Sequence, residues 1–488
     1  MRQLLKTLTK MTVSYGAIQW LGPAITFIFT PILTRILTPS DYGVAEYVLS
    51  VVSAVNVLAL LALPQALTTH FNDRPQDVEW QKSVTGSALT AVVLIGIPIG
   101  AIIFVFSGEI AGFGLQDEGY GFFFQLVGVT IVLGLCTNIL IAAAQAALKV
   151  RWGLFFSSTT LGMTVLGNVV FIIILRLGAL GLILVPVVTG LVLSAVTFVT
   201  TRSLIGKPDL TVMKTLVISG IFLLPSLVAV WMLQLSDRLI LVHFVSTEAL
   251  GHYSIANKIA SLLAVFIGPV FVAWTPLMLA VKDTSSSKQQ YADMARFLIA
   301  LILFIALGLG LFANEILIIL TRPAYLPAAP YVGFLTYIYI LGAVGTILGT
   351  DAMGAKRLKE LSGSVLFGAV VNLILNLFLI PPYGLWGATF ATIVGYAIPQ
   401  VIIYNHLKKQ SHIPYETTKF LVAFAVQISL LVLGTLFLPS NFFLRITVKL
   451  SLFLFLPISF LIIGVITKPE INQVWVVIRH RVSFYSWR

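Results

Sequence analysis

The chain has 488 residues, of which 58% are hydrophobic and only 10% are charged, and its mean hydropathy is +1.01. A soluble domain carries about 25% charged residues, so this composition excludes a soluble enzyme and indicates an integral membrane protein. The formal net charge of +12 is then best explained by membrane topology, because Lys and Arg concentrate in cytoplasmic loops, and no nucleic-acid partner is expected.

Long apolar runs predict about fourteen membrane-spanning helices, since each crossing needs roughly 20 apolar residues. Six runs lie in the first part of the chain, at 11–34, 42–69, 83–106, 121–148, 152–175 and 177–201. Six more follow at 215–245, 250–281, 297–314, 330–350, 361–380 and 383–404, and a last pair lies at 420–438 and 446–467. Uninterrupted runs of this length favour helices over a membrane barrel, whose strands alternate over about ten residues.

The distribution of basic residues predicts the orientation of these helices. Most of the 30 Lys and Arg residues fall in the loops on one side if the N-terminus is cytoplasmic. The outer ends hold Arg35, Arg176, Arg322 and Arg445. Both termini are therefore expected to face the cytoplasm. No loop is long enough for a folded domain, and 471–488 mixes aromatic residues with Arg, as an interfacial helix does.

No motif for a metal, a cofactor or ATP is found in the sequence. The single cysteine, Cys136, excludes an intramolecular disulfide and a multi-cysteine metal site. The run GTDAMGAK has Ala355 where a phosphate-binding loop needs Lys. His70, which is close in sequence to Asp73 and Asp77, is expected in a solvated loop. We therefore expect no cofactor, and no ATP hydrolysis by this chain.

The predicted helices contain an internal duplication. LTPSDYGVAEY aligns with VSTEALGHYSI at an offset of 208 residues, which pairs Gly43 with Gly251. Further matches at offsets of 204 and 206 pair Asn168 with Asn372 and Gly181 with Gly387. Since each six-helix copy returns to the side where it began, the repeat is parallel.

The duplication predicts an all-α architecture of two six-helix lobes and two further helices. Residues 1–206 would form one lobe and 207–410 the other, around a central cleft, and 411–488 would supply the last two helices and the interfacial tail. Two lobes that face each other across a cleft are typical of alternating-access transporters.

The stretches TPILTRILTPSDYGVAEYVLSVVSAVNVLALLALPQAL and SDRLILVHFVSTEALGHYSIANKIA resemble polysaccharide-exporting flippases. These are the O-antigen and exopolysaccharide translocases of the multidrug/oligosaccharidyl-lipid/polysaccharide superfamily. The resemblance implies transport of an undecaprenyl-diphosphate-linked oligosaccharide across a bacterial inner membrane. It also implies that the chain contacts membrane lipids and works beside a polysaccharide polymerase and assembly proteins.

Two other transport functions stay open at this point. A cation-coupled multidrug exporter of the same superfamily would be expected to have an apolar or acidic cleft. A lipid-linked peptidoglycan-precursor flippase would have a cationic cleft, as would the polysaccharide flippase. A membrane enzyme such as a glycan ligase would need a sizeable outer loop, and the sequence has none.

Ionisable residues inside apolar runs are the first candidates for function, because charge is costly in a bilayer. Lys258, in the eighth helix, is expected to bind the substrate diphosphate as a point charge. Glu46, in the second helix, would supply a titratable counter-charge. The alternative is that Lys258 and Glu46 form an interlobe salt bridge that latches one state.

The seventh helix carries a second pair of substrate or gating candidates, Asp237 and Arg238. Neighbouring residues on a helix do not face each other, so each is expected to have a different partner. Arg35, in the first outer turn, is a further substrate candidate, and a solvated ion pair with Asp41 is the alternative.

The cytoplasmic ends of the helices hold the remaining candidates. Asp351 is a candidate for proton or sodium coupling, as is Glu46, and a salt bridge at the rim is the alternative for Asp351. Four cations are expected at the cytoplasmic mouth, where they would capture the diphosphate: Lys149, Arg151, Lys356 and Arg357.

Overall fold

The computed structural model describes residues 27, 29–148, 150–279, 285–411, 413–437 and 439–466. Within these ranges every regular element is a helix. In the first part of the chain the helices are 29–36 (α1), Pro39–Leu60 (α2), Leu63–Phe71 (α3), Val78–Val105 (α4), Ser107–Leu115 (α5), Gly121–Ala146 (α6), Val150–Gly167 (α7), Gly178–Thr201 (α8) and Leu210–Phe244 (α9). A π-helical segment, Asn168–Ile174, continues α7.

The second part of the chain is helical in the same way. Its helices are Thr247–Ala260 (α10), Leu262–Leu279 (α11), Ser285–Leu311 (α12), Ala313–Leu320 (α13), Ala329–Gly354 (α14), Leu358–Leu407 (α15), Thr417–Leu436 (α16) and Phe442–Ile463 (α17). Three short 3-10 turns, Glu118–Tyr120, Arg202–Leu204 and Pro323–Ala328, connect the helices.

Twelve helical segments of the described chain are long and apolar enough to cross a membrane. The 50-residue helix α15 contains a non-helical residue, Gly384, with φ of 54° and ψ of −125°, a conformation that glycine adopts without strain. Gly384 lies at the start of the predicted helix 383–404, so α15 supplies two crossings. The segments then correspond one to one with the predicted helices, except that the run 11–34 lies mostly outside the described residues.

Two helices that were expected to be continuous are broken near their middle. The run 42–69 forms α2 and α3, separated by Leu61 and Ala62 with φ of 46° and 53°. The run 250–281 forms α10 and α11, separated at Ser261. The expectation of single helices was wrong. Apolar composition indicates how long a membrane crossing is, but it does not determine the backbone angles within the crossing. Pro64 has no N–H with which to continue α2.

The described residues divide into two compact units. The first contains the described residues up to Ile255 together with Leu320–Tyr325 and Ser362–Ile398, and the second contains Ala256–Ile319, Leu326–Leu361 and the described residues from Pro399. The division into lobes 1–206 and 207–410 remains a prediction.

The first unit is packed through glycines where α4 crosses α6. A Cβ on Gly100 would lie 2.6 Å from the Gly128 carbonyl oxygen, and a Cβ on Gly128 would lie 2.8 Å from the Gly100 carbonyl oxygen. Real Cβ atoms essentially never come this close, so both positions require glycine. Small residues let helix backbones approach in a membrane, where van der Waals contact drives helix association.

Aromatic side chains form a core in the second unit. Trp274 of α11 and Tyr291 of α12 are buried together with Ile347 of α14, and their rings meet edge to face with centroids 5.1 Å apart. The Tyr291 hydroxyl donates a hydrogen bond to the Ile347 carbonyl at 2.6 Å. This bond satisfies the hydroxyl group of the buried Tyr291 ring.

Candidate functional site

The repeat-related glycines, Gly43 and Gly251, lie where α2 crosses α10. A Cβ on Gly43 would overlap the Thr247 carbonyl oxygen and lie 2.7 Å from its carbonyl carbon. A Cβ on Gly251 would overlap the Pro39 carbonyl oxygen and lie 2.7 Å from its carbonyl carbon. Pro39 and Thr247 are themselves 208 residues apart, so the contact is reciprocal. A reciprocal contact is what a twofold axis between two copies produces.

The start of each helix at this crossing is fixed locally. Pro39 occupies the first turn of α2, and Thr38 and Asp41 form a capping box in which each side chain accepts the backbone N–H of the other. The Ser40 Oγ and Thr247 Oγ1 atoms are 2.9 Å apart. A hydrogen bond therefore joins the two helix starts next to the glycine contact.

An ionic cluster joins α2, α9 and α10 in the first unit. The Arg238 Nε lies 3.3 Å from the Glu46 Oε2, and the Arg238 Nη1 donates to the Asp237 Oδ1 at 3.3 Å and to the Gln234 carbonyl at 2.7 Å. The Tyr253 hydroxyl donates to the Asp237 Oδ2 at 2.6 Å. Asp237 and Arg238 are buried, and the Glu46 side chain is 30% exposed.

The ionic cluster of Glu46, Asp237, Arg238 and Tyr253 has one guanidinium for two carboxylates. Arg238 therefore has two carboxylates of its own chain beside it, and its contact with a substrate diphosphate stays a prediction. The prediction that Asp237 and Arg238 have different partners was wrong in part. Although they do not share a helix face, the long Arg238 side chain bends back to the Asp237 Oδ1 while also reaching Glu46.

Polar atoms without hydrogen-bond partners lie on α15 in the same unit. Asn372 and Asn376 are fully buried, and the Asn376 Nδ2 donates to the Asn372 Oδ1 at 3.2 Å. The Asn372 Nδ2 and the Asn376 Oδ1 are among the buried polar atoms that have no hydrogen-bond partner in the described residues. Thr392 lies beside the Tyr253 hydroxyl of the ionic cluster. Buried polar atoms ordinarily have partners, so the two asparagines are unusual positions in this unit.

The helices that carry these groups pack together closely. A Cβ on Gly395 of α15 would lie 2.5 Å from the Asn372 Cβ and 3.1 Å from the Leu233 Cδ2 of α9. Leu233 precedes Asp237 by about one helical turn. This packing brings the Asn372 side chain of α15 and the α9 turn before Asp237 against the same glycine. No cluster of His, Cys, Asp and Glu suited to a metal occurs in the described residues.

The remaining predicted substrate residues have separate environments. Asp41 caps α2, and its Oδ1 also accepts the Ala179 N–H at 3.3 Å, so its described contacts are hydrogen bonds that hold the outer turn together. Lys258 is half-buried on α10. Lys258 and Glu46 belong to different compact units, and their joint action stays a prediction, as does the role of Arg35.

Asp351 is a buried carboxylate in the second unit. Its Oδ2 accepts hydrogen bonds from the Ser411 hydroxyl at 3.0 Å and the Tyr415 hydroxyl at 3.1 Å, and the residue is 6% exposed. Arg357 instead contacts Glu360 at 2.8 Å. Asp351 points into the contact between α14 and the segment before α16, and the alternative of a rim salt bridge with the basic cluster of Lys356 and Arg357 stays a prediction.

The four cations predicted at the cytoplasmic mouth differ in what the structure shows of them. Arg151 and Lys356 are exposed, and Arg357 is half-buried against Glu360 and Gln410. Lys149 lies outside the described residues. Exposed cations at the ends of helices are consistent with a cytoplasmic rim, and their capture of a diphosphate remains a prediction.

Sequence reasoning missed a buried ion pair between α13 and α17. The Lys449 Nζ donates to both Glu315 carboxylate oxygens, at 2.8 and 2.7 Å, and Lys449 is only 2% exposed. The Arg445 Nε lies 3.8 Å from the Glu315 Oε1. Lys449 interrupts an apolar run, which indicates that a buried charge needs a partner. The sequence does not identify that partner, because 134 residues separate Lys449 from Glu315.

The comparisons with known sequences give a family match. A sequence model of the family described as polysaccharide biosynthesis protein matches residues 32–330, more than half of the chain. An uncharacterized membrane protein of Methanocaldococcus jannaschii, MJ1068, is 27% identical over 197 residues. That match covers 39% of this chain and 39% of the archaeal protein, so the chain matches well under two thirds of its relative's length.

Solved transporter structures share the fold. A lipid II flippase MurJ in an inward closed conformation has a TM-score of 0.67 and 14% identity, covering 93% of this chain and 98% of its own. An inward-facing MATE-family multidrug resistance transporter of the MOP superfamily has a TM-score of 0.61 and 13% identity, covering 79% and 97%. A MOP-superfamily transporter from Pyrococcus furiosus has a TM-score of 0.58 and 13% identity, covering 82% and 95%. The chain therefore has the fold of MurJ and MATE transporters.

Proposed function

Since the chain belongs to the polysaccharide biosynthesis protein family, we propose that it is a flippase for an undecaprenyl-diphosphate-linked oligosaccharide. The cargo would be an O-antigen or exopolysaccharide unit, moved by alternating access across a bacterial inner membrane. The observation that carries the proposal is the family match over residues 32–330, joined to a fold found in flippases and transporters. Both termini would be cytoplasmic, and a polysaccharide polymerase and assembly proteins would use the product.

The substrate diphosphate would be bound by Lys258. An ammonium is a compact point charge that binds phosphate without a fixed geometry, and Lys258 lies in the predicted span 250–281. Arg238 is less suited to this role because Glu46 and Asp237 already neutralise it. Arg35, in the outer turn, is a candidate for contact with the diphosphate as it leaves.

The reciprocal glycine contact and the ionic cluster would close the outer end of the transporter. The predicted topology places the starts of α2 and α10 and the end of α9 on the outer side, and all the contacts that join them lie there. The helices would separate at Gly43 and Gly251 to release the cargo. Such a separation breaks the hydrogen bond between Ser40 and Thr247.

The coupling ion would act at a buried carboxylate. Asp351 is held by two hydroxyl donors, and Glu46 is the ionic-cluster carboxylate with partial exposure.

Depletion of the protein from its host cell tests the proposed cargo against the other two transport functions. We expect undecaprenyl-diphosphate-linked oligosaccharide to accumulate on the cytoplasmic leaflet, where an added periplasmic glycosidase does not reach it. Accumulation of lipid-linked peptidoglycan precursor instead would contradict the proposal in favour of a precursor flippase. Retention of organic cations with no accumulated lipid would contradict it in favour of a drug exporter.

A further inference from the structure

A cavity of about 320 Å³ lies in the first unit, between the end of α3, the start of α4 and the start of α9. Its lining is formed by His70, Trp80, Asp209, Thr211, Val212 and Thr215. The predicted topology places these helix ends on the cytoplasmic side, where the cargo is loaded. The volume is at the lower end of the roughly 300–1,000 Å³ of small-molecule sites, which suits one small group.

The wall formed by His70 and Trp80 is fixed by hydrogen bonds. The His70 Nδ1 lies 2.8 Å from the Asp73 Oδ2, and its Nε2 lies 3.0 Å from the Ser219 Oγ. The Trp80 indole N–H donates to the His70 carbonyl at 2.9 Å. His70 is half-buried in the last turn of α3, whereas Asp73 in the following turn is exposed. Because the indole N–H is used, Trp80 offers a ligand its apolar ring.

The opposite wall presents a carboxylate and hydroxyl groups. The Asp209 Oδ1 caps α9 by accepting the backbone N–H groups of Thr211 and Val212, at 2.7 and 3.1 Å. These backbone hydrogen bonds lower the pKa of Asp209 below its ordinary value, so the group is ionised at neutral pH. Its Oδ2 takes part in neither bond. Thr211 and Thr215 are exposed at the start of the helix.

An aromatic ring together with a carboxylate and hydroxyl groups in one cavity suits a sugar. The C–H face of a pyranose packs on an indole, and its hydroxyl groups donate to a carboxylate and exchange hydrogen bonds with threonines. A lipid chain would leave Asp209 desolvated and unpaired, which is costly. The Arg74 guanidinium covers one face of the Trp80 indole, 4.4 Å from the ring centroid, so a ligand has the other face. The positive charge of Arg74 repels an organic cation there but not a neutral sugar.

We propose that the cavity between Trp80 and Asp209 binds a neutral pyranose ring of the cargo glycan on the cytoplasmic side. The identity of the glycan as cargo rests on the proposed function, while the sugar-binding chemistry rests on the residues of the cavity. The site thereby selects the glycan before translocation, and residues outside the site bind the diphosphate.

A binding experiment tests the cavity without transport. The full chain in detergent is titrated with neutral disaccharides to pentasaccharides of hexoses and followed by saturation-transfer NMR. At least one sugar is expected to bind, and Trp80→Leu is expected to weaken it about tenfold. Trp80→Phe, which keeps an aromatic face, and Asp209→Asn, which keeps the cap oxygen, separate the contributions of ring and charge. Trp386→Leu removes a half-buried indole elsewhere in the unit and serves as the matched control.

The titration tests whether the cavity binds sugars through Trp80. The proposal is supported if binding falls with Trp80→Leu, is largely restored by Trp80→Phe and is unchanged by Trp386→Leu. The proposal is overturned by a protein that binds no sugar, by equal binding in native protein and Trp80→Leu, or by saturable binding of tetraphenylphosphonium at Trp80 in place of sugars.

A transport measurement separates failure of the cavity from failure of the proposed function. In proteoliposomes, Trp80→Leu is expected to raise the KM for lipid-linked oligosaccharide about tenfold with kcat largely kept, and to leave movement of the undecaprenyl diphosphate without glycan unchanged. Translocation by native protein with an unaltered KM in Trp80→Leu overturns the proposed sugar site but not the proposed flippase function. Sugar binding at Trp80 without any translocation by native protein overturns the proposed flippase function but not the proposed sugar site.

Discussion

Replacement of Gly43 by Ala is expected to prevent the close crossing of α2 and α10. The added methyl would lie 2.7 Å from the Thr247 carbonyl carbon and overlap its oxygen, and the obstruction is backbone, which cannot rotate away. The helices must separate by roughly 1.5 Å to bring the carbonyl oxygen back to van der Waals distance. Overpacking of this kind costs about 1–3 kcal/mol. The population of the closed crossing relative to an open one should therefore fall by a factor of roughly 5 to 150.

Oxidative cross-linking measures that crossing directly. Cysteines at Ser40 and Thr247 replace hydroxyl groups whose oxygens are 2.9 Å apart, close enough for a disulfide to form. The background carries Cys136→Ser, which removes the single native thiol. The cross-linked fraction is expected to fall in Gly43→Ala.

Gly190→Ala is the matched control, because no atom lies within 4 Å of a Cβ at this helical position of α8. It should leave cross-linking unchanged, and Gly251→Ala should reproduce the loss because the contact is reciprocal. Native levels of cross-linking in a folded Gly43→Ala protein would contradict this prediction, since they would show that the crossing admits a side chain.

Three further predictions concern charge. Lys449→Ala should lower stability by about 3–5 kcal/mol, because the half-buried Glu315 then keeps only the more distant Arg445 as a counter-charge. Lys449→Met combined with Glu315→Leu should recover most of the loss. Thermal unfolding in detergent measures both variants, and equal losses in the two would contradict the pairing. Arg238→Ala should be more destabilising than Glu46→Gln in the same assay, because it leaves two carboxylates together, and the reverse order would contradict the ionic cluster. Burial alone would raise the pKa of Glu416, but the hydrogen bonds and charges of its basic neighbours hold that pKa below its ordinary value of 4.5. The contribution of ionised Glu416 to stability is therefore complete above pH 4.5 and is lost as the pH falls through the lower pKa of the folded state. The unfolding midpoints of native protein and Glu416→Gln should converge on acidification from about pH 6 to about pH 3.5. A difference between the two midpoints that does not change with pH would contradict the lowered pKa.

The membrane architecture could be predicted because it depends on composition along the chain. Apolar runs of about 20 residues permit few structures in a bilayer besides a helix, and the crossings found in the described residues follow the predicted order. The breaks at Leu61 and Ser261 could not be predicted in the same way. They depend on backbone angles and on neighbours such as Gly220, whose Cβ would overlap the Leu61 carbonyl oxygen.

The internal duplication gave the most specific structural information. The alignment paired Gly43 with Gly251 without any indication that the two meet, and the structure places them against each other's helix. A pair of small residues at equivalent positions of a parallel repeat can meet at the axis that relates the copies. The periodicity of a single helix carries no such information.

The ionic partners were predicted less well, because a charge inside an apolar run indicates that a partner is needed and not which one it is. Glu46 was assigned to Lys258 on expected depth, whereas its side chain lies at Arg238. Asp351 was placed at a rim by its sequence neighbours, whereas hydroxyl groups of Ser411 and Tyr415 surround it. Both partners come from segments distant in the chain.

The most direct test of the flippase is leaflet translocation of an undecaprenyl-diphosphate-linked oligosaccharide in proteoliposomes, with native protein and Lys258→Ala compared under imposed pH or sodium gradients. We expect native protein to move the glycan across the membrane and Lys258→Ala, inserted to the same extent, not to move it. Absence of glycan movement by native protein, together with gradient-driven efflux of organic cations, would contradict the proposed function.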